Sequence, residues 1–236
     1  MFKRNRKADN YSAENGVPLI TIQEKGSVNS EKFNTIRTNI QFSNVESQRK
    51  SFMITSSIES EGKSTVSGNI AAAFAKQGKR VILVDSDLRK PTVQATFSAT
   101  NERGISNYIT DRSLSLEDVI FESTIYNLSV IKSGPIPPNP SELIGSTRMQ
   151  DLANQLKKKY DIIIFDAPPI LSVTDAQILS TYVDGTILVI RRGYTYKEDV
   201  KKAIKQVENV GGKLIGAILN DISKNDDTSY GYGYHK

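Results

Sequence analysis

The segment SFMITSSIESEGKST (residues 51–65) decides the fold of this chain of 236 residues. It opens with a short apolar run that predicts a buried β-strand, and the residues that follow predict a helix over 64–77. Between the two, Gly-Lys-Ser at 62–64 matches the end of the phosphate-binding pattern G-x-x-x-x-G-K-[ST], although Ser57 replaces the first glycine. A strand, this loop and a helix in that order predict a site for the phosphates of a nucleotide.

The loop can contact phosphate in three ways. Its backbone N–H groups can surround phosphate oxygens, and the N-terminus of the following helix adds partial positive charge. The side chain of Lys63 can reach the β- and γ-phosphates, and the hydroxyl of Ser64 can ligate Mg²⁺. A chance Gly-Lys-Ser turn is the alternative. The residues predicted to bind ATP through this loop are Ser60, Glu61, Gly62, Lys63, Ser64 and Thr65.

Aspartates follow two further apolar strands. VILVDSDLRKP (81–91) carries Asp85 and Asp87, and IIIFDAPP (162–169) carries Asp166. Ligands of an open α/β sheet bind at the carboxyl ends of its strands, where these carboxylates could hold Mg²⁺ directly or through water. A lone aspartate could equally cap a strand, but three beside a Gly-Lys-Ser loop favour a nucleotide–Mg²⁺ site. No Asn-Lys-x-Asp guanine pattern occurs, so ATP is expected rather than GTP.

Short runs of Val, Ile and Leu alternate with helical segments along the chain. Strands that are apolar on both faces predict a doubly wound, mostly parallel α/β sheet with helices on both sides. Strands are predicted over 51–57, 80–87, 128–134, 160–169, 185–192 and 214–220. Helices are predicted over 30–46, 64–77, 116–123, 141–159 with a break near Gly145, 174–182 and 196–209.

Polar segments flank this domain. Residues 1–27 are predicted to form a flexible basic arm, 28–222 the nucleotide-binding domain, and 223–236 a flexible tyrosine-rich tail. The net charge of 31 − 26 = +5 permits attraction to phosphates, anionic lipid or an acidic partner, and selects none of them. No nucleic-acid partner is expected. No apolar run is long enough to span a membrane, and the absence of cysteine excludes disulfides and thiolate metal sites.

In this order and spacing, SEGKST, VILVDSDLRKP and IIIFDAPP resemble the motifs of the bacterial tyrosine autokinases (BY-kinases) of capsule and exopolysaccharide synthesis. The likeness covers residues 30–236 and is greatest to the separate cytoplasmic kinase subunits of Gram-positive bacteria, relatives of the MinD/ParA ATPases. The pattern D-x-D-L-R-x-P is the discriminating motif. A C-terminal tail with Tyr230, Tyr232 and Tyr234 is the other family mark.

The resemblance implies a role for each matched residue. Lys63 would neutralise the β- and γ-phosphates during phosphoryl transfer. Ser64, Asp85 and Asp166 would organise Mg²⁺. Either Asp87 or Asp85 would accept the proton of the tyrosine hydroxyl, whose ordinary pKa is near 10. The tail tyrosines would be the phosphoacceptors, phosphorylated in trans, because the tail can span up to about 30 Å.

The chain departs from the family pattern at two places. Glu59-Ser60 stands where the family usually has Pro-Gly, which predicts weaker nucleotide binding or a differently shaped loop. In EKFNTIRTN (31–39), Glu31 and Arg37 match the oligomerisation motif, but Asn34 replaces its first arginine. A ring-shaped homo-oligomer is therefore expected with one charged contact fewer.

The resemblance also implies partners. Asn220 would contact the adenine of ATP. A membrane adaptor of the polysaccharide co-polymerase type would complete the active site and hold this cytoplasmic kinase at the inner face of the membrane. A cognate tyrosine phosphatase would reverse the reaction. Two other functions stay open: a MinD/ParA-type ATPase switch that hydrolyses ATP, and a non-catalytic, nucleotide-dependent scaffold.

Overall fold

The computed structural model describes residues 12, 14–43, 48–100 and 103–221, which contain a sheet of seven strands. The strands are β1 Ser51–Ser56, β2 Val81–Asp85, β3 Phe121–Glu122, β4 Leu128–Ile131, β5 Ile162–Asp166, β6 Gly185–Arg191 and β7 Leu214–Asn220. Their order in the sheet is β3-β4-β2-β5-β1-β6-β7. The six predicted strands are all present, and β3 is an addition at the edge of the sheet.

The strands run parallel except where β3 pairs antiparallel with β4. Because β1, β2 and β5 are parallel neighbours, their carboxyl ends meet at one edge of the sheet. The register places Asp85 directly opposite Asp166. The predicted fold class, a mostly parallel doubly wound sheet, is therefore confirmed, and the three acidic and phosphate-binding motifs share one edge.

Helices cover both faces of the sheet. Their bounds are α1 Ile20–Gln23, α2 Val28–Phe42, α3 Lys63–Lys76, α4 Val93–Phe97, α5 Ile105–Thr110, α6 Pro140–Gly145, α7 Thr147–Lys159, α8 Asp175–Ser180 and α9 Lys197–Asn209. Alternate residues of each central strand enter opposite cores: Phe52 packs with α2, α3 and α4, whereas Met53 packs with α5 to α9. None of the described helices is long and apolar enough to cross a membrane.

The helix predicted over 116–123 is wrong. Leu116 and Val119 are buried as the apolar pattern suggests, but the chain turns there and continues into β3. The Asp118 carboxylate accepts hydrogen bonds from the backbone N–H of Ser115 at 2.8 Å and from its hydroxyl at 2.7 Å. Such local side-chain bonds compete with helical ones, so the turn is favoured.

The described part of the predicted N-terminal arm packs against the domain. Thr21 in α1 is fully buried, and its backbone N–H donates to Oδ1 of Asn69 in α3 at 2.8 Å. The amide of Asn69 in turn donates to the carbonyl of Pro18 at 2.8 Å. Leu19 is buried and Ile22 packs against the core, but these few apolar residues form no sustained period, so no pattern marked this segment as part of the fold.

Candidate nucleotide site

The loop between β1 and α3 turns through two residues with positive φ. Gly62, at φ +87°, forms the N-terminal cap of α3, and a Cβ there would lie 2.2 Å from Nδ2 of Asn220. Glycine is therefore required both by the backbone and by its neighbour. Ser60 lies at φ +63°, a region that costs a serine about 1 kcal/mol and a glycine almost nothing. Ser60 thus adopts a backbone conformation that is better suited to glycine.

Lys63, the first residue of α3, extends its ammonium group among carboxylates. Its Nζ lies 2.9 Å from Oδ2 of Asp87 and 4.0 Å from Oδ1 of Asp166. Burial disfavours the charged amine, but the charges of Asp166 and Asp87 outweigh this and raise the pKa of Lys63 above its ordinary value. Lys63 therefore stays protonated at neutral pH and is a fixed positive charge at the loop.

Asp166, the last residue of β5, has one oxygen engaged and one open. Oδ1 accepts a hydrogen bond from the Ser67 hydroxyl at 3.0 Å. Oδ2 is buried and has no hydrogen-bond partner among the described residues. Burial raises the pKa of Asp166, and the ammonium of Lys63 and the hydroxyl of Ser64 oppose this rise. An open, buried carboxylate oxygen beside a serine hydroxyl fits a divalent cation.

In the described part of the chain, no three His, Cys, Asp or Glu side chains converge to hold a metal by themselves. Mg²⁺ in nucleotide sites is commonly bound by one or two carboxylates together with substrate phosphates and waters. The donors at hand, Asp166 and the hydroxyl of Ser64, fit that mode of binding. The site is therefore suited to a metal that arrives with a nucleotide.

Asp85 and Asp87 lie in different surroundings. Oδ2 of Asp85 accepts two backbone N–H groups at the start of α4, both at 3.0 Å. Burial and the neighbouring charge of Asp166 raise the pKa of Asp85 well above its ordinary value. Asp87 instead contacts Lys63 and lines a cavity beside the phosphate-binding loop. Of the two candidate bases, Asp87 is the one that faces the cavity, and Asp85 braces its own loop.

Glu61 turns its side chain into the protein. It is fully buried: Oε2 accepts from the backbone N–H of Ile58 at 2.8 Å, and Oε1 accepts from the hydroxyl of Thr195. Burial raises the pKa of Glu61, and the hydrogen bond from Thr195 opposes this rise. Because the carboxyl group points inward, the contact that Glu61 can offer a phosphate is its backbone N–H.

Residues at the ends of β6 and β7 hydrogen-bond to backbone carbonyls of the phosphate-binding loop. Nδ2 of Asn220 donates to the carbonyl of Glu61 at 3.0 Å, and Nη1 of Arg191 donates to the carbonyl of Ser60 at 3.2 Å. Arg191 also pairs with Asp221, the last described residue, at 2.9 Å. The sequence gives no sign of these roles of Arg191 and Thr195, because no short motif links them to a loop more than 130 residues earlier. The contact of Asn220 with adenine stays a prediction.

These elements surround a cavity of about 270 Å³. Glu59 lies at its border, and its carboxylate forms an ion pair with Lys90 at 3.0 Å, which offsets the negative charge that the sequence places near the phosphates. The N-terminal segment contributes to the lining as well as the loop. The residues that line it include Ser60, Gly62, Lys63, Ser64, Thr65 and Asp87, together with Arg89, Lys90, Pro168, Pro169 and Val17.

The other predicted site residues lie elsewhere. Tyr230, Tyr232 and Tyr234 are outside the described residues. Glu31 and Arg37 lie on α2, away from the cavity lining, and Asn34 donates to Oε1 of Glu31 at 3.2 Å. The residue that replaces the motif's arginine therefore contacts Glu31 within its own helix. An oligomer interface on α2 stays a prediction.

Comparison with known proteins gives consistent results. A family model described as an AAA domain matches residues 59–218. The chain is 47% identical over 214 residues to tyrosine-protein kinase YwqD of Bacillus subtilis, covering 91% of this chain and 90% of that protein. It is 40% identical over 204 residues to tyrosine-protein kinase CpsD of Streptococcus agalactiae, covering 86% of this chain and 88% of that protein.

Solved structures agree with these relatives. The kinase domain of Escherichia coli tyrosine kinase ETK superposes with a TM-score of 0.85 at 33% identity, covering 92% of this chain and 85% of that chain. The septum site-determining protein MinD of Pyrococcus horikoshii, solved with Mg-ADP, superposes with a TM-score of 0.64 at 23% identity, covering 75% and 73%. The latter likeness shows a shared fold.

Proposed function

The chain belongs to the family of bacterial tyrosine-protein kinases, and on this premise we propose that it transfers the γ-phosphoryl group of ATP to tyrosine side chains, its own C-terminal tyrosines among them. One observation carries the proposal. The ammonium of Lys63, on the phosphate-binding loop, lies between Asp87 and Asp166 at the edge of one cavity. A donor phosphate and an acceptor hydroxyl can both reach that point.

The reaction needs positioning, charge and one proton acceptor. The backbone N–H groups of 60–65 and the N-terminus of α3 bind the phosphates, and Lys63 neutralises their charge. The acceptor tyrosine's oxygen bonds to the γ-phosphorus as the bond from that phosphorus to the β,γ-bridging oxygen breaks. Asp87 takes the hydroxyl proton. Asp166 and Ser64 would hold Mg²⁺, and Asp85, opposite Asp166 in the sheet, would help to organise it. When bound, Mg²⁺ would neutralise charge on the β- and γ-phosphates.

The tail supplies the acceptors Tyr230, Tyr232 and Tyr234, and we propose that they enter the cavity of a neighbouring copy. The tail begins two residues after Asp221 and can span up to about 30 Å. Each phosphate adds about −1.5 to −2 charges, so three add roughly −5. That change would offset the net charge of +5 and loosen a ring held together by docked tails.

By analogy with the family, this kinase acts in capsular or exopolysaccharide synthesis. A membrane adaptor of the polysaccharide co-polymerase type would activate it and hold it at the inner face of the membrane. Glu31 and Arg37 would contribute to a homo-oligomer, and a tyrosine phosphatase would reset the tail. These partners are proposals that rest on the resemblance.

The test supplies labelled ATP and Mg²⁺ to the purified chain together with the cytoplasmic tail of its adaptor. Label on tyrosine is expected, absent in Lys63→Met and largely absent when all three tail tyrosines become phenylalanine. Lys157→Met, which removes a lysine outside the cavity lining, should leave labelling unchanged. Released phosphate without labelled protein would support an ATPase switch. Bound ATP with neither outcome would support a scaffold.

A further inference from the structure

Arg89 follows Asp87 in the pattern D-x-D-L-R-x-P, and the proposed mechanism gives it no role. Its guanidinium makes a two-pronged ion pair with Asp175, the first residue of α8. Nε lies 3.0 Å from Oδ2, and Nη2 lies 3.1 Å from Oδ1. Such a fork fixes the plane of the guanidinium group.

The carboxylate that holds Arg89 is built into the protein. Asp175 is 1% exposed, and its Oδ1 also accepts a hydrogen bond from the hydroxyl of Ser141 at 2.6 Å. Nη2 of Arg89 donates to the same hydroxyl at 3.3 Å. The guanidinium is therefore oriented by two segments, the start of α6 and the start of α8.

The opposite edge of the guanidinium is available. The Arg89 side chain is 39% exposed and lines the same cavity as Lys63. Among the residues that the structure describes, no partner is seen for its Nη1. Its backbone N–H donates to Oδ1 of Asp87 at 3.3 Å, so Arg89 stands beside the carboxylate proposed to take the tyrosine proton. In the proposed mechanism, the phosphate-binding loop and Lys63 already bind the phosphates of ATP.

We propose that Arg89 binds the phosphate of the phosphorylated tyrosine, and that Asp175 is the positioning residue that aims it. The inference rests on the proposed kinase function and adds an acceptor-side phosphate contact to it. Arginine suits this task because its planar fork matches phosphate oxygens while a second edge stays with a carboxylate. The competing explanation is a structural brace that ties the segment after β2 to α6 and α8.

The chain contains a matched control for the brace. Arg80 makes the same kind of fork with Asp161, Nη2 to Oδ1 at 2.8 Å and Nε to Oδ2 at 3.3 Å. This pair joins the segments preceding β2 and β5, at the opposite edge of the sheet from the loop, and neither residue lines the cavity. Arg80→Lys therefore weakens a fork of the same geometry, in more exposed surroundings, without touching the site.

The experiment compares wild type, Arg89→Lys, Asp175→Asn and Arg80→Lys. A synthetic peptide of residues 223–236 serves as substrate, and the same peptide phosphorylated on tyrosine serves as inhibitor. Loss of a charge-assisted contact predicts a roughly tenfold weaker inhibition by the phosphopeptide in both cavity variants. The KM for ATP should stay within about twofold of wild type. Arg80→Lys should leave both the inhibition by the phosphopeptide and the KM for ATP unchanged.

If Arg89→Lys leaves phosphopeptide inhibition unchanged, the inference is overturned, and any loss of melting temperature in that variant is then the effect of a structural brace alone. A change confined to the KM for ATP would mean that Arg89 binds the phosphates of ATP rather than phosphotyrosine, and it would overturn the inference. If wild type labels no tyrosine, the kinase proposal fails separately. Calorimetric titration of O-phosphotyrosine into the ADP-loaded protein then still decides whether Arg89 binds this phosphate.

Discussion

Replacing Lys63 by methionine should destabilise the folded protein as well as abolish phosphate transfer. The Lys63 ammonium lies within 4.0 Å of both Asp87 and Asp166, and all three side chains are at most 13% exposed. Methionine has similar length and no charge, so the substitution removes the cation without a large cavity. Two buried carboxylates then lose their neutralising partner.

The size of the effect follows from this burial. Removing one member of a buried ion pair typically costs 3–5 kcal/mol, and the cavity beside Lys63 admits water, so we expect about 3 kcal/mol at pH 8. For a chain of this size that corresponds to a loss of about 6–12 °C in melting temperature. Lys157→Met is the control. Its ion pair with Asp184 is also short, at 2.7 Å, but both side chains are at least 25% exposed, so about 1 kcal/mol or less is expected.

The loss should depend on pH. Lys63 lowers the pKa of Asp166 and of Asp85, so without it both pKa values rise further above the ordinary 3.8. Carboxyl groups with a raised folded-state pKa keep protons that the unfolded chain has released, so the free energy of unfolding falls as pH rises above about 4. The deficit of Lys63→Met should therefore be small at pH 5 and largest near pH 8.

Urea denaturation of both variants at pH 5, 6.5 and 8, without nucleotide or Mg²⁺, measures the deficit. A Lys63→Met protein within 0.5 kcal/mol of wild type at pH 8 would refute the electrostatic reasoning. A constant deficit across this pH range would refute the assignment of the loss to unpaired carboxylates. Lys63→Met therefore serves as an inactive control only at a pH where it is shown to be folded.

Three further changes test single contacts. Glu61→Gln should raise the melting temperature increasingly from pH 5 to 8, because burial raises the pKa of Glu61, and the amide oxygen can accept from Ile58 while the amide N–H donates to the Thr195 oxygen; Glu61→Ala should lower it at every pH. Gly62→Ala should weaken ATP binding at least tenfold and cost more stability than Gly78→Ala, since φ is nearly equal at the two positions, +87° and +85°, but only at Gly62 does a Cβ meet an atom. Thr21→Val should cost about 1 kcal/mol in urea denaturation, through lost hydrogen bonds to α3, whereas the exposed Thr35→Val should be nearly neutral.

The parts of the fold that the sequence predicts well are those with local patterns. Each central strand is a short apolar run, and Asp85 and Asp166 each end such a run. Lys63, Asp87 and Asp166 therefore converge because β1, β2 and β5 are parallel and lie side by side in the sheet. The break at Gly145 is likewise local: α6 ends at that residue and α7 begins at Thr147.

The parts that it misses depend on contacts between distant residues. Thr195 hydrogen-bonds to Glu61, 134 residues away in the sequence, and Thr21 hydrogen-bonds to Asn69, 48 residues away. A hydroxyl that hydrogen-bonds a distant group has no periodicity or spacing to reveal it. The different contacts of Asp85 and Asp87 are equally invisible in the sequence, because those of Asp85 depend on the backbone N–H groups at the start of α4 and those of Asp87 depend on Lys63.

The position of β1 at the centre of the sheet has a consequence for synthesis on the ribosome. β1 is complete at residue 56, but its two neighbours are β5 and β6, and β6 ends at residue 191. At translation rates of about 5–20 residues per second, the strand waits on the order of ten seconds for its second partner. During that time both hydrogen-bonding edges of an apolar strand are open to misplaced pairing. The phosphate-binding loop that follows β1 is therefore synthesised before either of the strands that flank β1 in the sheet.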